Sequence, residues 1–154
     1  MAHILKTALS ADNLTALDTL RSNVAYTSNN IRLGTNNYSG LSKYSVSKWK
    51  SWTRTQRSTF KDCFIADDIN KSVIGWFLKF PANTGLLDEM NAWDGEAVAG
   101  TVVAYSLDDN NTINIDGTLV TCDRGQGVEF SLTNTHSISI AGVERNWACL
   151  MLMK

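Results

Sequence analysis

The chain has 154 residues, a formal net charge of −1, and 19% charged against 44% hydrophobic residues. That length suits one domain, which buries about 68–70% of its unfolded surface and needs no staples to fold. The near-zero charge excludes a whole-molecule field for nucleic acid or anionic lipid, so nucleic acid is not an expected partner.

No apolar run reaches the ~20 residues that span a bilayer, so no membrane role is expected. The start, Met1 to Lys6, lacks a basic stretch followed by a long apolar one. No secretory signal is therefore expected, and the predicted location is the cytoplasm of the producing cell. The three cysteines, Cys63, Cys122 and Cys149, are widely spaced with no Cys-x-x-Cys pair. They read as reduced core thiols rather than as a zinc site. Asn, Ser and Thr make up roughly a quarter of the chain against the single Pro81. This bias suits turns and hydrated β surfaces, and by compositional analogy it suits a bacteriophage virion protein.

Ser10 is a candidate N-cap, and Leu14, Leu17, Leu20 and Val24 follow at steps of three and four. This spacing predicts a short amphipathic helix over residues 11–23. Residues 27–42, with Asn29-Asn30, Gly34, Asn36-Asn37 and Ser39-Gly40, read as a long polar loop with at most a short strand at Ile31 to Leu33. Residues 43–62 hold Lys43, Lys48, Lys50, Arg54, Arg57 and Lys61, interleaved with Tyr44, Trp49 and Trp52. At helical spacing Trp49, Trp52, Gln56 and Phe60 share one face, which predicts a helix with a buried aromatic side and a solvated cationic one. Trp49, Trp52, Arg54 and Arg57 are the candidate interaction residues, for a neighbouring subunit or another protein.

From residue 73 the pattern becomes β. Val73 to Phe80 is a continuous apolar run ended by Pro81, and Val98 to Leu107 is another. Thr112 to Ile115 and Thr118 to Cys122 alternate about Asp116-Gly117, a hairpin signal. Val128 to Leu132, Ser137 to Ile140 and Trp147 to Met153 follow as further strands. Seven or so short strands separated by turns predict a mainly β fold, a small antiparallel barrel or jelly roll over 73–154, preceded by one or two helices.

The order Gly125-Gln126-Gly127-Val128-Glu129-Phe130, then His136, a strand, Arg145 and an apolar last strand resembles the second half of a double-stranded β-helix. That fold is shared by cupins and Fe(II)/2-oxoglutarate oxygenases, and the likeness is to the aspartyl/asparaginyl β-hydroxylase-like branch. The resemblance implies that His136 is the distal metal ligand and Arg145, nine residues on, the cation for the 2-oxoglutarate carboxylate. It also implies a His-x-Asp motif earlier in the chain. The matching region, Asn83 to Asp94, contains no histidine; Asp88, Glu89 and Asp94 are its carboxylates. The only other histidine is His3, at an end expected to fray.

No nucleophile elbow or glycine-rich phosphate loop is present, so no catalytic residue is assigned. The expected function is therefore a non-catalytic, self-associating structural or assembly protein without a cofactor, of virion or accessory type. The alternative is an Fe(II)/2-oxoglutarate-dependent hydroxylase with an altered metal site, using His136 and Asp88 on the metal and Arg145 on the co-substrate. A third reading is a sugar- or small-molecule-binding barrel that stacks its ligand on Trp76 or Trp93.

Overall fold

The computed structural model describes residues 3–33, 36–64, 73–80, 101–131, 136–138 and 144–152. For 28–33, 36–44, 73, 136–138 and 151–152 the description is of backbone pairing. The elements are β1 (His3–Lys6), α1 (Ala11–Ser22), β2 (Thr27–Leu33), β3 (Asn36–Lys48), a 3-10 turn (Trp49–Ser51), α2 (Arg54–Asp62), β4 (Val73–Phe80), β5 (Thr101–Ser106), β6 (Asn111–Ile115), β7 (Thr118–Cys122), β8 (Gly127–Ser131), β9 (His136–Ile138) and β10 (Arg145–Leu152). None of the described helices is long and apolar enough to cross a membrane.

Two antiparallel sheets form. The large one runs β1-β8-β5-β10-β4-β3-β2 and the small one β7-β6-β9. The chain passes from β5 in the large sheet to β6 and β7 in the small one, back to β8, across to β9, and returns in β10. This alternation is the winding of a double-stranded β-helix, as the pattern from residue 73 predicts.

Strand side chains point alternately to the two faces of a sheet. The large sheet is therefore apolar on both. Its inner face gives Val46, Trp76, Leu78, Phe80, Val102, Ala104, Val128, Phe130, Trp147 and Cys149 to a core shared with Ile113, Ile115, Val120 and Cys122 of the small sheet. Its outer face gives Phe77, Val103, Tyr105, Ala148 and Leu150 to a second core under the helices. The continuous apolar runs of β4, β5 and β10 follow from burial on both faces.

The predicted helix over 11–23 is α1. Ser10 caps it by accepting from the Asn13 amide at 3.2 Å, and Leu14, Leu17 and Leu20 are its buried stripe. An ion-pair cluster fastens α1 to the turn between β7 and β8. The Asp18 carboxylate accepts from Arg124 Nη2 at 2.6 Å and from Arg21 Nε at 3.0 Å, while Arg124 Nη1 also reaches the Leu107 carbonyl. Partial burial pushes the Asp18 carboxyl up, but the hydrogen bonds and charges of Arg124 and Arg21 outweigh this and hold it below its ordinary value of 3.8. A lowered carboxylate favours the fold above its unfolded pKa and ceases to do so as pH falls through the folded one. Wild type is thus expected to exceed Asp18→Asn in stability by about 1 kcal/mol or less at pH 7, the group being a third exposed. The difference should begin to shrink in melts as pH falls below about 4, where the unfolded carboxyl protonates, and should vanish only below the lower value of the folded one.

Three expectations are corrected. Residues 27–42 are not a loop: β2 and β3 pair from Thr27↔Val46 to Leu33↔Asn36, with a register shift at Asn30/Ile31, and β3 joins the large sheet through β4. A polar outermost strand has no apolar face to reveal it. The N-terminus is not frayed at His3, since β1 pairs with β8 from His3↔Phe130 to Lys6↔Gly127. The predicted helix over 43–62 is shorter. β3 continues to Lys48, and α2 begins only after Thr53, whose side chain and that of Gln56 form a reciprocal capping box.

The buried aromatic side of that segment is present as predicted. Phe60 lies 5.1 Å from the Trp52 ring, 4.9 Å from Phe64 and 5.5 Å from Phe77. The hairpin at Asp116-Gly117 also forms, both residues having positive φ (51° and 84°), as a type I′ turn requires.

Candidate functional site

Arg145 is the first residue of β10, in register with Phe80 of β4. By alternation it shares the inner face with Trp147 and Cys149, at the end of the strand where the two sheets meet the β5–β6 turn. It is half-buried, and its Nη1 donates to the Asp109 carbonyl at 2.9 Å. It is thus an ordered strand residue rather than a freely solvated turn residue.

A buried polar cluster fixes this end of β10. Asp108 Oδ2 accepts from the Asn146 backbone amide at 2.7 Å and from its side chain at 3.1 Å. Asn111 Nδ2 donates to Ser106 Oγ at 2.8 Å and to the Asn146 carbonyl at 3.1 Å. Ser106, Asn111 and Asn146 are all buried. Because the Asn146 carbonyl can only accept, the Asn111 amide is oriented with Nδ2 toward it and Oδ1 away. That Oδ1 has no hydrogen-bond partner among the described residues, and neither does Trp76 Nε1 within the inter-sheet core. A buried acceptor and a buried donor left open are costly and call for a partner. Asp108-Asp109-Asn110-Asn111 has the composition of a plain turn, which conceals an inward-facing asparagine at the first position of a strand.

His136 begins β9 in register with Ile115, a residue of the inter-sheet core, so β9 brings it to the small sheet's edge away from β7. Asp88, Glu89 and Asp94, the carboxylates expected beside it, lie outside the described residues, as does Trp93. His3 stands on β1 at the far edge of the large sheet. Among the described residues no three His, Cys, Asp or Glu side chains form a metal-binding group.

The candidate interaction residues divide. Trp52 is 5% exposed and its indole donates to Ser47 Oγ at 2.8 Å, so it is a core residue and unavailable to a partner. Trp49 is half-buried, Arg54 exposed, and Arg57 lies over the Trp49 ring at 5.5 Å. Trp76 is 1% exposed, which places it in the core rather than on a stacking surface. All three cysteines are buried. Burial, reinforced by Asp123, pushes the Cys122 thiol to about 11, so at neutral pH it stays protonated and is no nucleophile. A groove of about 460 Å³ between α1 and α2, lined by Leu20, Thr55 and Thr59, lies on the helix side and away from Arg145.

No protein-family model and no curated protein matches the chain. Solved structures do share its fold. A 2OG-Fe(II) oxygenase family oxidoreductase from Burkholderia pseudomallei superposes with a TM-score of 0.70 at 10% identity, covering 97% of this chain and 84% of that one. A Pseudomonas putida prolyl-4-hydroxylase gives 0.63 at 12% identity over 99% and 93%. A Trichoplax adhaerens prolyl hydroxylase, in complex with a hypoxia inducible factor peptide fragment, gives 0.60 at 14% identity over 97% and 82%. At these identities the likeness shows the fold: a double-stranded β-helix of the kind built by 2-oxoglutarate oxygenases. It also corrects the expectation of a cofactor-free protein. A fold neighbour matched over nearly the whole chain is a 2OG-Fe(II) oxygenase family protein, so absence of a cofactor has no support.

The site's residues fit that chemistry unevenly. Arg145, a half-buried residue at the rim of the inner face, offers a guanidinium that suits an anionic, oxygen-rich small molecule, while the open indole donor of Trp76 lies four strand positions further along, opposite Cys149. A 2-His-1-carboxylate triad does not fit. The sequence offers only two histidines, and the strand order puts them on different sheets.

Proposed function

We propose that the chain is a 2-oxoglutarate-binding oxygenase-type barrel with an altered metal site. Arg145 is the cation for the distal carboxylate of the co-substrate. His136 is the one imidazole offered to a metal, with Asp88, Glu89 or Asp94 supplying oxygen ligands. The observation that carries this reading is the placement of His136 and Arg145. They begin successive strands, β9 in the small sheet and β10 at the centre of the large one, in a fold matched over nearly the whole chain by oxygenases. The assembly or virion role suggested by composition draws no such support.

Fe(II), were it held by His136 and carboxylates of the 83–94 region with 2-oxoglutarate on Arg145, would supply oxygen-activating chemistry. The chain's own residues bind and orient. Asp108, Asn111 and Asn146 hold the first residues of β10 against the β5–β6 turn, so Arg145 presents its guanidinium from a fixed backbone. A pre-organised guanidinium loses little entropy on pairing with a carboxylate.

Melting tests the reading. 2-Oxoglutarate at 100 times its dissociation constant is expected to add about 2.7 kcal/mol, which for a domain of this size raises the Tm by about 5–11 °C. Arg145→Ala should abolish the shift, and His136→Ala should abolish any increment from Fe(II). No shift in wild type with either additive or both would overturn the proposal.

A further inference from the structure

We infer that the outer face of α2, with the Trp49 turn before it, binds single-stranded nucleic acid. Residues 48–62 hold five cations and one acid, a charge of +4 in a chain whose net charge is −1, so the remainder carries −5. The whole-chain charge hides this concentration. Arg54, Arg57 and Lys61 recur at i, i+3 and i+7, which places them on one stripe of α2. At 1.5 Å per residue the stripe is about 10.5 Å long, enough to meet more than one phosphate of a strand. Lys50, exposed on the preceding turn, extends it.

Ion pairing among the described cations is uneven. Lys6, Arg21 and Arg124 each have a carboxylate partner. Lys79 and Arg145 make no ion pair among the described residues, Lys79 lying over the Tyr26 ring and Arg145 donating to a carbonyl. Lys50, Arg54, Arg57 and Lys61 make none among them either. Like charges so close together oppose one another until an anion neutralises them.

The chemistry favours nucleic acid over an acidic protein. Arg57 Nε is held by the Trp49 carbonyl at 3.0 Å and its guanidinium sits over the half-buried Trp49 ring. The two terminal nitrogens are left as a fork for a phosphate, and an unpaired base can stack on the guanidinium that covers the Trp49 ring, whose other neighbours are Trp52 and Phe60. A duplex hides its base faces and could use only the charges. The carboxylates of an acidic peptide would use the cations alone.

Fluorescence anisotropy with a labelled oligothymidylate tests the inference on the full chain. Binding at low salt is expected, with log K falling against log salt at a slope of about −2 to −3, that of three to four phosphate contacts on a single strand. Arg54→Gln, at an exposed position, should reduce that slope by about 0.7 with an unchanged melting temperature. The Arg54→Gln/Arg57→Gln/Lys61→Gln variant should bind at least tenfold more weakly, and Trp49→Phe should weaken binding without changing the slope. No binding at low salt would overturn the inference. So would a preference for the duplex, or equal competition by polyglutamate at matched charge, which would identify an acidic protein surface as the partner. Arg145 and the inter-sheet core take no part, so the outcome is independent of the oxygenase reading.

Discussion

Gly75→Ala is expected to lower stability by about 3 kcal/mol, the upper end of the usual range for overpacking, and to lower the Tm by roughly 6–12 °C. Gly75 stands in β4 on the face opposite Trp76, toward the helices. A Cβ at that position would come within 2.1 Å of Phe60 Cε1 and 2.6 Å of Cζ, far inside contact distance. Relief requires Phe60 to move, and Phe60 is fully buried with Trp52, Phe64 and Phe77 around it. The missing side chain at 75 is therefore what lets α2 lie close on the large sheet.

Urea titration should show a lower midpoint at constant m. In a Phe60→Leu background the same glycine substitution should cost at least about 1 kcal/mol less, because residues in contact are non-additive. A small, additive cost would mean that the ring does not sit over Gly75.

The sequence displays those elements whose burial differs between faces or whose turns demand a particular residue. Leu14, Leu17 and Leu20 mark α1 because one side of the helix meets the sheet and the other meets water. Asp116-Gly117 marks a hairpin because few residues accept positive φ. Thr27 to Lys48 gives no such mark. In an outer pair of strands Asn, Ser and Thr serve as well as apolar residues, and the same composition describes a loop. Thr53-x-x-Gln56 is a capping-box signature that was present in the sequence and fixes the start of α2. The aromatic periodicity across residues 49–60 obscured it, because the rings of a turn and of a helix converge on Phe60.

The site divides in the same way. The resemblance to a double-stranded β-helix pointed to His136 and Arg145, which stand at the first positions of β9 and β10, one and two residues before the expected strand starts. The polar cluster behind Arg145 was illegible, since nothing in Asp108-Asp109-Asn110-Asn111 distinguishes an asparagine that turns inward from one that faces water. Its orientation depends on Asn146, which is 35 residues away in the chain.

Trp147→Ala is expected to cost about 3–5 kcal/mol, as removal of a large buried aromatic does when the space left cannot collapse. Trp147 has no exposed surface and lies between the sheets, in a strand paired on both sides, opposite Leu78 and Ser106. Neither neighbouring strand can close in without breaking its own ladder. Trp147→Phe should cost less, since it keeps much of the filled volume. Arg145→Ala, two residues away on the same face, should cost only about 1 kcal/mol, because among the described residues it forfeits one rim hydrogen bond, to the Asp109 carbonyl. Equilibrium unfolding of the three variants therefore separates the residue that holds the barrel together from the one proposed to hold its ligand. If Arg145→Ala proved as damaging as Trp147→Ala, Arg145 would be a structural residue of the barrel end, and its assignment to a co-substrate would lose its basis.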